Sequence, residues 1–211
     1  MKCRIIPTVF SHNKREFYER LSKLTKIANS LQIDIMDGKF VPAKSVSLQQ
    51  IPSLKKYRNS FEAHLMVKNP SKYIKSLKNK GFKKIIFHIN ADDNVKVIAE
   101  ARKNKMKVFL ALNPEDKIEE SCYLFQLVDG ILLMGVHPGR EHQKLINSTF
   151  SKVREIRKID DKLDIQIDGG VNPSNASRLY VSGANILNTG SFVSDSENPK
   201  KALAELKRIA K

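Results

Sequence analysis

The chain contains no tryptophan and only two cysteines, Cys3 and Cys122. That pair makes neither a disulfide framework nor a zinc motif, so each is expected as a small buried side chain without redox chemistry. No apolar run reaches the roughly eighteen residues of a membrane-spanning helix. The apolar run within Met1 to Phe10 is too short for a secretory signal. These absences predict a soluble, cytoplasmic protein with no membrane partner. Acidic residues are also scarce, 22 against 38 lysines and arginines, for a net charge of +16. A surplus of this size attracts anions of many kinds, from nucleic acids to phosphorylated metabolites. Here the lysines are dispersed along amphipathic stretches, as at Lys72, Lys75, Lys78 and Lys80, without interleaved aromatics or a nucleic-acid motif. A generally basic solvated surface is expected, and no nucleic-acid partner.

Short apolar runs alternate with longer amphipathic ones from end to end, the pattern of repeated strand–helix units. Strands are expected at Cys3 to Pro7, Leu31 to Ile35, Phe61 to Leu65, Lys84 to Phe87, Lys107 to Ala111, Gly130 to Leu133, Asp164 to Ile167 and Asn185 to Leu187. Helical spacing marks Lys14 to Ala28, Ser71 to Lys80, Asn94 to Asn104, Asn147 to Lys158, Pro173 to Val181 and Asn198 to Lys211. Asn69-Pro70, Asn172-Pro173 and Asn198-Pro199 write helix starts, while Cys122 to Leu127 reads as an abbreviated helix. The turn after the first strand, Pro7-Thr8-Val9-Phe10, lacks the glycines of a dinucleotide-binding sheet. The expected fold is therefore a (β/α)8 barrel, a TIM barrel of the α/β class, with residues 1–211 forming one domain.

In such a barrel the active site lies where the strands end. Asp34 and Asp168 fall at two strand ends on roughly opposite sides of the mouth, where one carboxylate could remove a proton from carbon and the other return one to the opposite face. Taken singly, each could cap a loop or open a turn. His64 stands at a third strand end, and a His/Asp/Asp set suits a divalent transition metal. A lone histidine there could equally be a packed core side chain. Met36, Met66 and Met134 at strand ends two, three and six suggest a dry lining or simple filler. Gly169-Gly170 and Gly190-Ser191 follow strands seven and eight, where barrels bind phosphate through backbone N–H groups.

Four blocks in order, Asp34-Ile-Met-Asp-Gly-Lys-Phe-Val-Pro42, His64-Leu-Met-Val67 with Asn69-Pro70, Met134-Gly-Val-His-Pro-Gly139 with Gln143, and Asp168-Gly-Gly-Val171, resemble the ribulose-phosphate 3-epimerase family. The resemblance implies interconversion of D-ribulose 5-phosphate and D-xylulose 5-phosphate through an enediolate, with Asp34 and Asp168 exchanging protons at C3. It implies one divalent ion, zinc, iron or manganese, on Asp34, His64 and Asp168. It places Thr8, Met36, Met66, Met134, Gly169, Gly170, Gly190 and Ser191 around a small phosphorylated sugar.

The chain departs from the family pattern at several positions. Gln32 replaces a metal-binding His, and its amide oxygen can ligate a metal but is a weaker, harder donor than imidazole. Thr8 replaces Ser, Ala43 replaces Asn and Asn90 replaces Glu. The loop pattern Pro-Gly-Phe-Gly-Gly-Gln reads Pro138-Gly139-Arg140-Glu141-His142-Gln143, so whether it closes over substrate is open. Two alternatives stand beside the pentose-phosphate epimerase: a 3-epimerase of another ketose phosphate such as a hexulose 6-phosphate, or a non-catalytic barrel with a basic binding surface. A homo-oligomer is expected on the habit of the fold alone.

Overall fold

The computed structural model describes residues 3–210. Met1 and Lys2, in the segment read for a signal, and Lys211, the expected end of the last helix, lie outside the described residues. Eight parallel strands close into a barrel in sequence order: β1 (Arg4–Val9), β2 (Ser30–Met36), β3 (Ser60–Met66), β4 (Lys84–His88), β5 (Lys107–Leu112), β6 (Gly130–Met134), β7 (Asp164–Asp168) and β8 (Ile186–Thr189). β8 pairs back to β1 with Arg4 opposite Ile186.

The outer layer is α1 (Lys14–Leu24), α2 (Ile74–Lys80), α3 (Asn94–Lys103), α4 (Ser148–Ile159), α5 (Pro173–Val181), α6 (Ser191–Ser194) and α7 (Pro199–Ile209). Cys122–Leu127 is a 3-10 segment, as its short apolar run suggests. The connection between β2 and β3 carries only the 3-10 turn Leu48–Gln50.

Local chemistry explains the helix ends. The Asn13 side chain accepts from the Glu16 N–H at 3.0 Å and starts α1, whose Phe17, Leu21 and Leu24 share one buried face. Each such side chain contributes roughly 1.5–3 kcal/mol on burial. Helix α1 stops at Leu24 rather than Ala28 because Thr25 turns its hydroxyl back onto the Leu21 carbonyl at 2.8 Å, competing with helix continuation. Asn172 and Asn198 cap α5 and α7, accepting from the Ser174 and Lys201 N–H groups at 2.9 and 3.0 Å.

The core has two parts. The larger lies between strands and helices and takes in the outward faces Ile33, Ala63, Ile85, Val108, Ile131 and Ile165. The smaller fills the barrel with Ile6, Ile86, Phe109, Ala111, Leu132, Met134, Val136 and Ile186. These residues come from β1, β4, β5, β6 and β8 and from the turn after β6, so they occupy only part of the lumen. Below the methionines at the ends of β2 and β3, the inward positions of β2, β3 and β7 are polar (Gln32, Asp34, Glu62, His64, Gln166 and Asp168), and that asymmetry positions the site.

Candidate active site

Side chains alternate across a strand, so residues two apart share a face. On β2 this brings Gln32, Asp34 and Met36 inward; register then sets Glu62, His64 and Met66 of β3 beside them. Strand β4 adds Lys84 opposite Glu62 and, at its end, His88. Strand β7 adds Gln166 and Asp168, and β8 adds Asn188. Two polar layers result, with Gln32 joining them.

The lower layer is a buried relay. Lys84 Nζ donates to Glu62 Oε2 at 2.6 Å and to Gln166 Oε1 at 2.7 Å, and it lies 3.9 Å from the Phe109 ring centroid. Gln166 Nε2 donates to Glu62 Oε1 at 2.5 Å and Asn188 Oδ1 at 2.7 Å. Asn188 Nδ2 donates to Gln32 Oε1 at 2.7 Å. Burial pushes the Lys84 ammonium below its ordinary pKa, opposed by the Glu62 carboxylate.

The upper layer faces a cavity of about 610 Å³ at the barrel mouth. Gln32 Nε2 donates to Asp34 Oδ1 at 2.9 Å and to Asp168 Oδ2 at 2.6 Å. His64 Nδ1 stands 3.1 Å from Asp168 Oδ2 and 3.4 Å from Asp34 Oδ1. One ligand atom each from Asp34, His64 and Asp168 falls within 4.8 Å of the others. The carboxylates expected to flank a substrate from opposite sides are thus closer neighbours: only β1 and β8 separate their strands, and a single amide bridges them.

The electrostatics follow from burial. Desolvation raises Asp34 to about 6, with Asp168 adding to the rise and hydrogen bonds from His64 and Gln32 opposing it. Burial alone would lower His64, but hydrogen bonds to Asp168 and Asp34 overcome it and lift the imidazole to about 9. His64 Nε2 lies 2.9 Å from His88 Nε2, and the rings stack at 5.1 Å. Burial and the His64 charge push His88 well below its usual value. A cationic His64 donating to a neutral His88 satisfies both rings at that contact.

The other expected residues also reach this cavity. Thr8, Met36, Met66, Met134, Gly169, Gly170, Gly190 and Ser191 line it with Asp34, His64 and Asp168. The Thr8 hydroxyl is buried with no hydrogen-bond partner, so it is free for a ligand. Met36 and Met66 pack with Phe10 and Val41 at the mouth, while Met134 belongs to the barrel interior. Gly169 and Gly170 take positive φ, 101° and 70°, and a Cβ on Gly170 would meet the Leu145 backbone at 2.5 Å. At Gly190 a Cβ would meet nothing within 4 Å; this glycine leaves space open at the start of α6.

Gln32 departs from its expected role as an oxygen ligand. Its oxygen points down to Asn188, and its nitrogen, which has no free lone pair, faces the carboxylates. The relay that forces this was not expected; the sequence shows only that Gln32, Glu62 and Gln166 each precede a mouth residue by two positions and so share its face, not that they meet.

Arg20 was also missed. From α1 it donates to Glu141 at 2.9 and 3.4 Å and pairs with Glu16 at 3.0 Å and Asp195 at 3.4 Å. Glu141 is thereby neutralised, and the loop after β6 is tied to the barrel wall. Gln143 folds that loop by donating to the His137 and Arg140 carbonyls. His142, where the family pattern has glycine, adopts φ 61°, a region costly for most side chains.

A closed barrel with buried carboxylates and an imidazole converging at the C-terminal ends of its strands defines an enzyme of the TIM-barrel class. The model of the ribulose-phosphate 3 epimerase family matches residues 4–194, and the chain belongs to that family, making it a carbohydrate epimerase. It is similar to the cytoplasmic isoform of ribulose-phosphate 3-epimerase from Oryza sativa subsp. japonica, 32% identical over 98% of this chain and 93% of the relative. The ribulose-phosphate 3-epimerase of Bacillus subtilis is 30% identical over 85% and 86%. A 3-hexulose-6-phosphate synthase structure aligns over 99% of this chain and all of its own, with a TM-score of 0.74 and 16% identity, a likeness of fold alone. No helix among the described residues is long and apolar enough to cross a membrane.

Proposed function

We propose that the protein interconverts D-ribulose 5-phosphate and D-xylulose 5-phosphate by two-base proton transfer at C3. The observation that carries this reading is the convergence of Asp34 and Asp168, each nine-tenths buried or more, on one cavity beside His64. One carboxylate takes the C3 proton, the electron pair of the C–H bond moves into an enediolate with charge on the C2 oxygen, and the other carboxyl group delivers a proton to the opposite face of C3. The raised pKa of Asp34 suits it to carrying a proton near neutrality.

The charge that develops on the substrate oxygen needs donors already in place. The His64 imidazole, raised to about 9 and so cationic near neutrality, stands beside the carboxylates and supplies positive charge there, while both Gln32 amide hydrogens are held by Asp34 and Asp168. Zinc, iron or manganese is the other possible source of positive charge. Asp34, His64 and Asp168 offer three ligand atoms, but the fourth position presents an N–H donor that cannot ligate. The residues in this arrangement do not fit a four-coordinate ion. The phosphate would lie against the Gly169, Gly170 and Gly190 backbone and the Ser191 hydroxyl, the end of the cavity where the chain approaches most closely without side chains.

The test is to incubate purified protein with D-ribulose 5-phosphate and, separately, with a hexulose 6-phosphate, and to follow each by carbon NMR. D-xylulose 5-phosphate formation, abolished in Asp168→Asn, is the expected result. Turnover of the six-carbon sugar alone would move the assignment to another ketose phosphate, and turnover of neither would remove it.

A further inference from the structure

We infer that the Gln32 side-chain amide occupies the place of a cation in this site, so that the protein holds its two carboxylates together without a metal ion. The inference deepens the epimerase reading, and its activity measurement rests on that reading; its metal measurement does not.

Four atoms meet at one point: Asp34 Oδ1, Asp168 Oδ2, His64 Nδ1 and Gln32 Nε2. The amide nitrogen lies 2.9, 2.6 and 3.4 Å from the other three. Two carboxylates this close repel each other unless something positive stands between them. An amide NH2 has two hydrogens, and two carboxylate oxygens receive them. If the amide were turned over, its oxygen would complete a ligand set of two carboxylates, an imidazole and a carbonyl, suitable for a divalent ion. Which end points upward therefore decides whether the site can take a metal.

The relay below makes that decision. Lys84 Nζ has only hydrogens to offer, so the atom of Gln166 that it touches at 2.7 Å is the oxygen. Gln166 must then present its NH2 on the far side, where Glu62 Oε1 and Asn188 Oδ1 accept. Asn188, having used its oxygen, presents Nδ2 to Gln32, and Gln32 receives it with Oε1. Gln166 Nε2 also lies 3.2 Å from that same oxygen. Turning Gln32 over would set its NH2 against the NH2 of Asn188 and Gln166. Relieving that clash would require both to turn, and Gln166 would then aim hydrogens at the Lys84 ammonium. Every member of the relay is buried, so no water replaces a lost partner. Lys84, at the foot of the lumen, thus fixes the polarity of an amide at its mouth, and Gln32 is a positioning residue for Asp34 and Asp168.

The experiment compares wild-type protein with Gln32→His and Gln32→Glu, which place a ligating nitrogen or oxygen where the amide stands. Each is incubated with zinc, manganese or ferrous ion, desalted, and analysed for metal per chain, with a thermal melt showing that it is folded. Wild type is expected to carry less than about 0.1 ion per chain and at least one variant about one. Epimerisation by wild type should be unchanged by a chelator, while the metal-bearing variant becomes chelator-sensitive. One ion per wild-type chain, lost with activity on chelation, would overturn the inference. So would folded variants that bind no more metal than wild type, since the amide would then not be what fills the place.

Discussion

At the scale of the residue, the site's defining tension is a carboxylate largely withdrawn from water. Asp34 is raised from 3.8 to about 6 mainly by desolvation. An acid whose pKa rises on folding supports the fold only while protonated: the contribution is fully present below about pH 4 and is lost as pH climbs through about 6. Asp34→Asn, nearly the same shape and always neutral, should therefore match wild type near pH 4 and exceed it above pH 6 by on the order of 1–3 kcal/mol. Denaturant titrations at the two pH values check this, and an equal effect at both would remove burial of the charge as the cause. The same variant should lose epimerase activity by on the order of a thousandfold or more, tying the destabilising charge to catalysis.

The two phosphate-side glycines should part company on substitution. At Gly170 a methyl would strike the Leu145 backbone from a left-handed conformation, so Gly170→Ala should lower the melting temperature by several degrees. At Gly190 nothing stands within 4 Å, so Gly190→Ala should melt like wild type while raising KM for the sugar phosphate. Melting curves and steady-state kinetics on the pair check both halves.

At the scale of the element, α1 reaches the active site through one side chain. Arg20 pairs with Glu16, Glu141 and Asp195 around the loop that borders the cavity. Arg20→Met would leave Glu141 and Asp195, which line the cavity, without their guanidinium partner near the expected phosphate. KM should then rise about three- to tenfold and kcat should change less, measured at low salt where the repulsion is least screened.

The eight strands and most helices were legible because apolar periodicity and the Asn172-Pro173 and Asn198-Pro199 caps are local signals; at Asn69-Pro70 a 3-10 turn without a side-chain cap forms instead, and α2 begins at Ile74. Strand ends fell within a few residues of expectation, and the mouth residues followed from them. The relay was not legible: a polar residue inside a closed barrel looks, in one sequence, like one facing solvent, and only register places Glu62 beside Gln32 and Lys84. Arg20 was hidden for a related reason, being 121 residues from Glu141. Gln32 was recognised as a departure from the family pattern. Its orientation depended on a lysine on another strand.

At the scale of the whole molecule, the +16 charge has no single patch to explain it in the sequence, and its simplest role is long-range. A cationic protein draws a phosphorylated sugar toward it, and salt weakens that pull. Raising ionic strength from about 0.01 to 0.15 M shortens the screening length from about 30 to 8 Å, so kcat/KM should fall several-fold while kcat stays nearly constant. A salt-independent kcat/KM would make the surplus charge irrelevant to substrate capture.

If Asp34 and Asp168 move a proton at carbon, hydrogen exchange at C3 reports it directly. D-ribulose 5-phosphate should be incubated with the protein in deuterated water, with chelator present, beside Asp168→Asn. Deuterium appearing at C3 together with D-xylulose 5-phosphate, both absent in the variant, is the expected result. Exchange that persists in Asp168→Asn, or product formed without any deuterium at C3, would contradict two-base proton transfer by this pair.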